Sequence, residues 1–93
     1  MSSGLASSPE WATFARDLGM QLRRLRALRG LTQDQMAERA EISLYAYQQY
    51  ERGSTTKGGP ATNPRLATIV ALCHALEVDM QELLPPLPAQ PTR

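Results

Sequence analysis

Apolar positions fall into blocks with helical spacing, divided by short stretches of Gly, Pro, Ser and Thr. In the first block Trp11, Phe14, Ala15, Leu18, Leu22, Leu25 and Leu28 recur at intervals of three and four, the stripe of one helix face. Ser8, Pro9 and Glu10 precede it: a capping hydroxyl, a proline suited to the first helical position, and an acid where the helix dipole favours one. The pattern predicts a helix from Pro9 to Arg29, stopped by Gly30. Residues 1–8 are small and polar and read as a flexible arm.

The stretch Thr32 to Gly53 carries the densest set of signals. Thr32 can cap a helix, Gln35 completes a T-x-x-Q capping box, and Leu31 with Met36 forms a hydrophobic staple. Ser43, with Ile42 and Tyr47 at the same offsets, starts a second helix, which Gly53 ends. Met36, Ala37 and Ala40 face inward on the first of these helices and Tyr47 and Tyr50 on the second, with small alanines allowing close approach. The second helix keeps a free flank of Leu44, Tyr45, Ala46, Gln48, Gln49 and Arg52.

Residues 54–62 form a polar loop rich in Gly and Thr, expected to be mobile. Asn63 and Pro64 are expected to open a fourth helix with a core stripe of Leu66, Ile69, Val70, Cys73 and Leu76. Asp79 and Glu82 make a capping box, with Val78 and Leu83 as its staple, for a short fifth helix that Pro85 and Pro86 end. The tail, residues 85–93, is expected to be extended, polyproline-like or disordered. With no strand signal, the class is all-α with five helices, arranged as one domain over residues 9–84.

Composition narrows the function. A chain of 93 residues suits one small domain, and no apolar run reaches the 18 or so residues that would span a bilayer. MSSGLASSPE lacks a charged start and an apolar core, so no secretory signal is expected and a cytoplasmic location follows, nucleoid-associated when bound to DNA. The single cysteine, Cys73, within an apolar stripe, fits core packing in a reducing compartment. Net charge is +1, but it is segregated: five arginines (16, 23, 24, 26 and 29) stand against Asp17, whereas Glu77 to Glu82 holds three acids and no base.

Catalysis finds no support. His74 and Cys73 are neighbours on a helix and point about 100° apart, so they cannot act as base and nucleophile. His and Cys are too few for a zinc site, and no phosphate-binding glycine motif occurs, so neither metal nor cofactor is expected.

Two short helices joined by a tight turn, the second with an uncommitted outer flank, is the plan of a helix-turn-helix DNA reader. The residues resemble the phage Cro and lambda-repressor type helix-turn-helix domain, also called XRE. The likeness lies in Leu18 to Arg29, LTQ at 31–33, MAERA at 36–40, ISxxxYxxYERG at 42–53 and the later NPxLATIVALCHALEV, covering roughly residues 18–84. It implies a compact five-helix lambda-repressor-like domain in which Gln33 holds the DNA backbone and braces the reading helix. It also implies that the first residues and outward mid-helix positions of that helix touch bases, and that Glu51 braces the fold.

On chemistry, Gln48 and Gln49 can bond bidentately to adenine, Tyr45 can donate or stack, and Leu44 or Ala46 can meet a thymine methyl. Ser43, Arg52 and Lys57 stand at the two ends of the helix and suit phosphates. The DNA-facing set is thus Gln33, Ser43, Leu44, Tyr45, Ala46, Gln48, Gln49, Arg52 and Lys57. Arg23 and Arg26 share one side of the first helix, while Arg29 can cap carbonyls.

The expected partner is double-stranded DNA and the expected unit a homodimer repressor, its interface drawn from the fifth helix or from Trp11 and Phe14. Trp11 and Phe14 can instead pack within the chain. The competing reading is an antitoxin-like protein-interaction module in which Leu44 and Tyr45 or the proline-rich tail meet a protein. Glu41 and Glu77 depart from the family pattern, which usually has glycine at both. A left-handed backbone there would cost about 1 to 2 kcal/mol, so either the turns have shifted or the strain is carried.

Overall fold

The computed structural model describes residues 4–91. A 3-10 turn, Leu5–Ser7, precedes five α-helices: α1 Pro9–Leu28, α2 Gln33–Ala40, α3 Leu44–Arg52, α4 Leu66–Leu76 and α5 Met80–Leu83. No strand occurs among the described residues, and none of their helices is long and apolar enough to cross a membrane. Four of the five capped helix starts expected from the sequence hold, and the one at Asn63 does not, since α4 takes Arg65 as its cap residue. Ser8 Oγ accepts from Trp11 N–H, Thr32 Oγ1 from Gln35 N–H and Ser43 Oγ from Ala46 N–H, while Asp79 N–H donates to Glu82 Oε1.

The arm read as flexible is built in part. Ser8 bonds back to Leu5 O through both its N–H and its hydroxyl, closing the 3-10 turn; residues 1–3 lie outside the described set. The tail beyond α5 has no helix or strand. It turns back along α1, with Pro85 and Pro86 beside Asp17 and Gln21, and Leu87 to Ala89 beside Glu10 and Thr13. Residues 92–93 of the expected tail lie outside the described set.

The core joins Leu18, Leu22 and Leu25 of α1 to Met36, Ala37 and Ala40 of α2, Tyr47 of α3, Leu83 of α5 and the inner face of α4. One position in the first stripe is corrected: Leu28 is exposed because the core ends at Leu25, one turn before the chain reverses, while Trp11 is half-buried.

α4 also departs from expectation. It begins at Leu66 with Arg65 as its cap residue, not at Pro64, and its buried face is Ile69, Leu72, Cys73, Ala75 and Leu76. Leu66, expected inside, is 69% exposed and Val70 is also exposed. LATIVALCHAL is apolar nearly all round, so periodicity could not choose its inner face. Cys73 is buried, and that burial pushes its thiol up, as for an inert packing residue.

Glu41 and Glu77 both sit in the left-handed region, at φ 58°. The strain is therefore carried. Each ends a helix in the same way: Ile42 N–H reaches Ala37 O and Val78 N–H reaches Cys73 O, and both apolar side chains pack on the core. Around Glu77, Arg29 Nε donates to Leu76 O at 2.7 Å and Nη2 to Glu77 O at 3.0 Å, while Arg39 donates to Ala75 O. Arg29 does cap carbonyls, but those of α4 rather than its own helix.

Candidate nucleic-acid interface

The position of α3 is set by two glycines. A Cβ on Gly19 would lie 2.8 Å from Tyr50 O and closer still to Glu51 O; one on Gly53 would lie 2.8 Å from the Cα of Arg16. α1 and the end of α3 thus touch backbone to backbone. Gly53 also takes φ 85°, which closes α3 as expected. Gly19 escaped the sequence reading, although a glycine in the interior of a strongly periodic helix signals a close approach.

That contact buries Glu51 and brings it to α1. Its carboxylate accepts from Arg26 Nε at 2.6 Å, Arg26 Nη2 at 3.2 Å, Gln33 Nε2 at 2.9 Å and the hydroxyl of Tyr47. Arg23 stands 3.7 Å away from it but is mostly exposed, a pair that adds little. Burial alone would raise the carboxyl pKa; the bonds from Arg26, Tyr47 and Gln33 outweigh it and hold Glu51 below the usual carboxylate range. Its hydrogen bond with Glu51 in turn raises the Arg26 pKa, and burial raises that of Tyr47. Glu51 is the brace that the resemblance implied.

The brace extends to the surface. Gln33 donates to Glu51, and Gln48 Nε2 donates to Gln33 Oε1 at 3.2 Å. A chain of amides therefore runs from the buried carboxylate to an exposed side chain on α3. Arg26, Gln33, Leu44 and Gln48 line an open cleft together with Thr32 and Asp34. Leu44 is 36% and Tyr45 63% exposed, Ser43 is exposed with its hydroxyl engaged as a cap, and Ala46 is half-buried.

The far end of α3 differs from expectation. Gln49, placed on the free flank by the helical wheel, turns its amide to the following loop and donates to Thr55 O at 2.7 Å. Arg52 does the same, through Nε to Ser54 O at 3.2 Å and Nη2 to Thr55 O at 3.0 Å. The cause is the loop itself, which does not hang free. Ser54 and Ala61 form an antiparallel bridge, Thr55 N–H donates to Pro60 O at 2.8 Å and Thr62 N–H to Gly53 O at 3.1 Å. Trp11 Nε1 fastens its return by donating to Thr62 O at 2.8 Å, and the indole stacks at a tilt on Phe14 with centroids 5.1 Å apart. Both aromatic rings pack within the chain. Lys57 is exposed near the loop's tip.

No group of three or more His, Cys, Asp or Glu able to hold a metal occurs among the described residues, and His74 is exposed. What the site presents is an apolar and aromatic helix start, a braced amide, and a set of cations.

No curated protein matches the chain at a significant level. Among solved structures, the restriction-modification controller protein C.AhdI from Aeromonas hydrophila is similar. Its TM-score is 0.66 at 29% identity, with 78% of this chain and 98% of that one covered. The family model described as helix-turn-helix domain matches residues 17–87, the same region as the capped helices, the buried brace and the exposed start of α3. With more than half of its length inside that match, this chain belongs to the helix-turn-helix domain family, of the Cro and lambda-repressor type, and is a DNA-binding transcription regulator.

Proposed function

We propose that the chain binds double-stranded DNA sequence-specifically as a homodimer and represses transcription by occupying its site. The observation that carries the reading is the start of α3, where Leu44 and Tyr45 are exposed beside Gln48, which is itself held by Gln33. Large apolar and aromatic side chains on an outer face, next to a positioned amide, suit the edges of bases in a major groove. The only carboxylate on α3, Glu51, is buried and paired, so the helix offers no free negative charge to the duplex. Tyr45 and Gln48 are the base readers, Leu44 and Ala46 meet thymine methyls, and Gln33 and Ser43 contact phosphates.

Likeness to a restriction-modification controller protein supports a regulatory role. The dimer reading draws on Leu66 and Val70, exposed on α4, beside an apolar hollow lined by Leu5, Trp11, Met80 and Leu84. A domain of this size reads few base pairs, and two copies would place their reading helices about 34 Å apart, one turn of the duplex. The protein would then be cytoplasmic and nucleoid-associated when bound.

Selection of bound sites from random duplexes, at two salt concentrations, tests this. The expected result is a two-fold symmetric site with half-sites one helical turn apart and binding that weakens steeply with salt. Recovery of no preferred sequence would sink the proposal.

A further inference from the structure

The loop after α3 is more firmly held than a solubilising connection needs. The carbonyl of Thr55 accepts from two side chains of α3, Gln49 and Arg52, while its N–H closes the loop on Pro60. Its returning arm is pinned to Gly53 and to Trp11. Such bonds fix the direction in which the tip projects from the end of α3, so ordering it on a partner loses little further entropy.

The charges point to the partner. From Arg52 to Leu76 the chain contains Arg52, Lys57 and Arg65 and no acidic residue. Lys57 is exposed with no hydrogen bond or ion pair to the other described residues, and Gly58 beside it takes φ 74°, letting the chain turn there. An exposed ammonium at the tip of a tethered loop, in an acid-free stretch of chain that continues from the reading helix, is complementary to a row of phosphates.

Resting on the DNA reading above, we infer that the 54–62 hairpin is a second contact with the duplex. In it Lys57 meets a backbone phosphate beyond the end of α3, and Gln49 and Arg52 are positioning residues that aim the hairpin rather than read bases. Gln49 thereby exchanges the role its place on the helical wheel suggested. Its amide acts through the loop, and its loss should weaken every sequence alike.

The test measures affinity of the full chain for the selected duplex and for a scrambled one across a salt series. Lys57→Ala should flatten the log-log salt slope by about 0.9, the value of one phosphate, and weaken both duplexes by the same factor, whereas Lys57→Arg should keep the slope. Gln49→Ala, which leaves Arg52 on Thr55 O, should produce part of that flattening, and the double variant should bind no more weakly than the weaker single one. Melting temperatures of the variants separate these effects from misfolding, and Lys57→Ala removes no bond of the fold. An unchanged slope in Lys57→Ala would overturn the inference, and so would additive losses in the double variant. A change of base preference at one position in Gln49→Ala, with the slope kept, would make it a base reader after all. If the parent fails to prefer the selected duplex, the DNA reading itself falls, a different result from any of these.

Discussion

The two ends of α3 solve opposite problems with the same helix. At its start, Leu44 and Tyr45 are exposed, and Gln48 is steadied from beneath by Gln33. At its end, Glu51 and Gly53 are buried against α1, and Gln49 and Arg52 are drawn into the hairpin that follows. One end is left available while the other is anchored on three sides. A helical wheel treats the two alike, because it knows the angle of a side chain but not what the next segment brings to meet it.

The largest effect should come from the anchored end. Gly19→Val would drive its Cβ into the backbone of Tyr50 and Glu51 and should lower stability by about 3 kcal/mol or more, read as a fall in melting temperature without DNA. If the variant melts like the parent, the backbone contact between α1 and α3 is wrong.

Glu51→Ala comes next. It leaves Arg26 and the Tyr47 hydroxyl without their acceptor and should cost about 3 kcal/mol. The same carboxylate gives the acid response its sign. Because its folded pKa is lowered, its contribution is complete above the unfolded value of about 4.5 and is lost as pH falls through the lower folded value. Melting temperature should decline below about pH 4.5, and a Glu51→Gln variant should decline less steeply over that range.

The available end should behave in the reverse way. Tyr45→Ala is expected to leave melting within about 0.5 kcal/mol of the parent yet weaken the selected duplex by about 1 to 3 kcal/mol and relax preference at one base pair, measured by titration against single-site variants. Loss of stability there would place Tyr45 in the core rather than on a docking face. Smallest of all, Glu41→Gly at the turn into α3 should relieve left-handed strain and raise stability by roughly 0.5 to 1 kcal/mol, with the unfolded chain's extra freedom offsetting part of the gain.

Sequence made the local chemistry legible. Thr32, Ser43 and Ser8 cap where their neighbours predict, since a cap is decided by residues three apart. Tyr47 and Met36 face inward for the same reason of short-range spacing. Features that depend on distant segments were harder to see. Leu66 and Val70 stand outside because α4 is apolar around most of its girth and only the position of α2 and α5 selects its inner side. The tether that holds the Gln49 amide was hidden because the hairpin's fold depends on Trp11 and Thr62, residues 51 positions apart. In the candidate site, then, the outward start of α3 and the bracing role of Glu51 were readable, while the tethering at the other end was not.

The indole at position 11 is the only one in the chain, and it rests where the hairpin's returning arm meets the beginning of α1. Its fluorescence therefore offers a built-in gauge: solvent reaching that ring would shift its emission, reporting an unlatched hairpin without any attached dye.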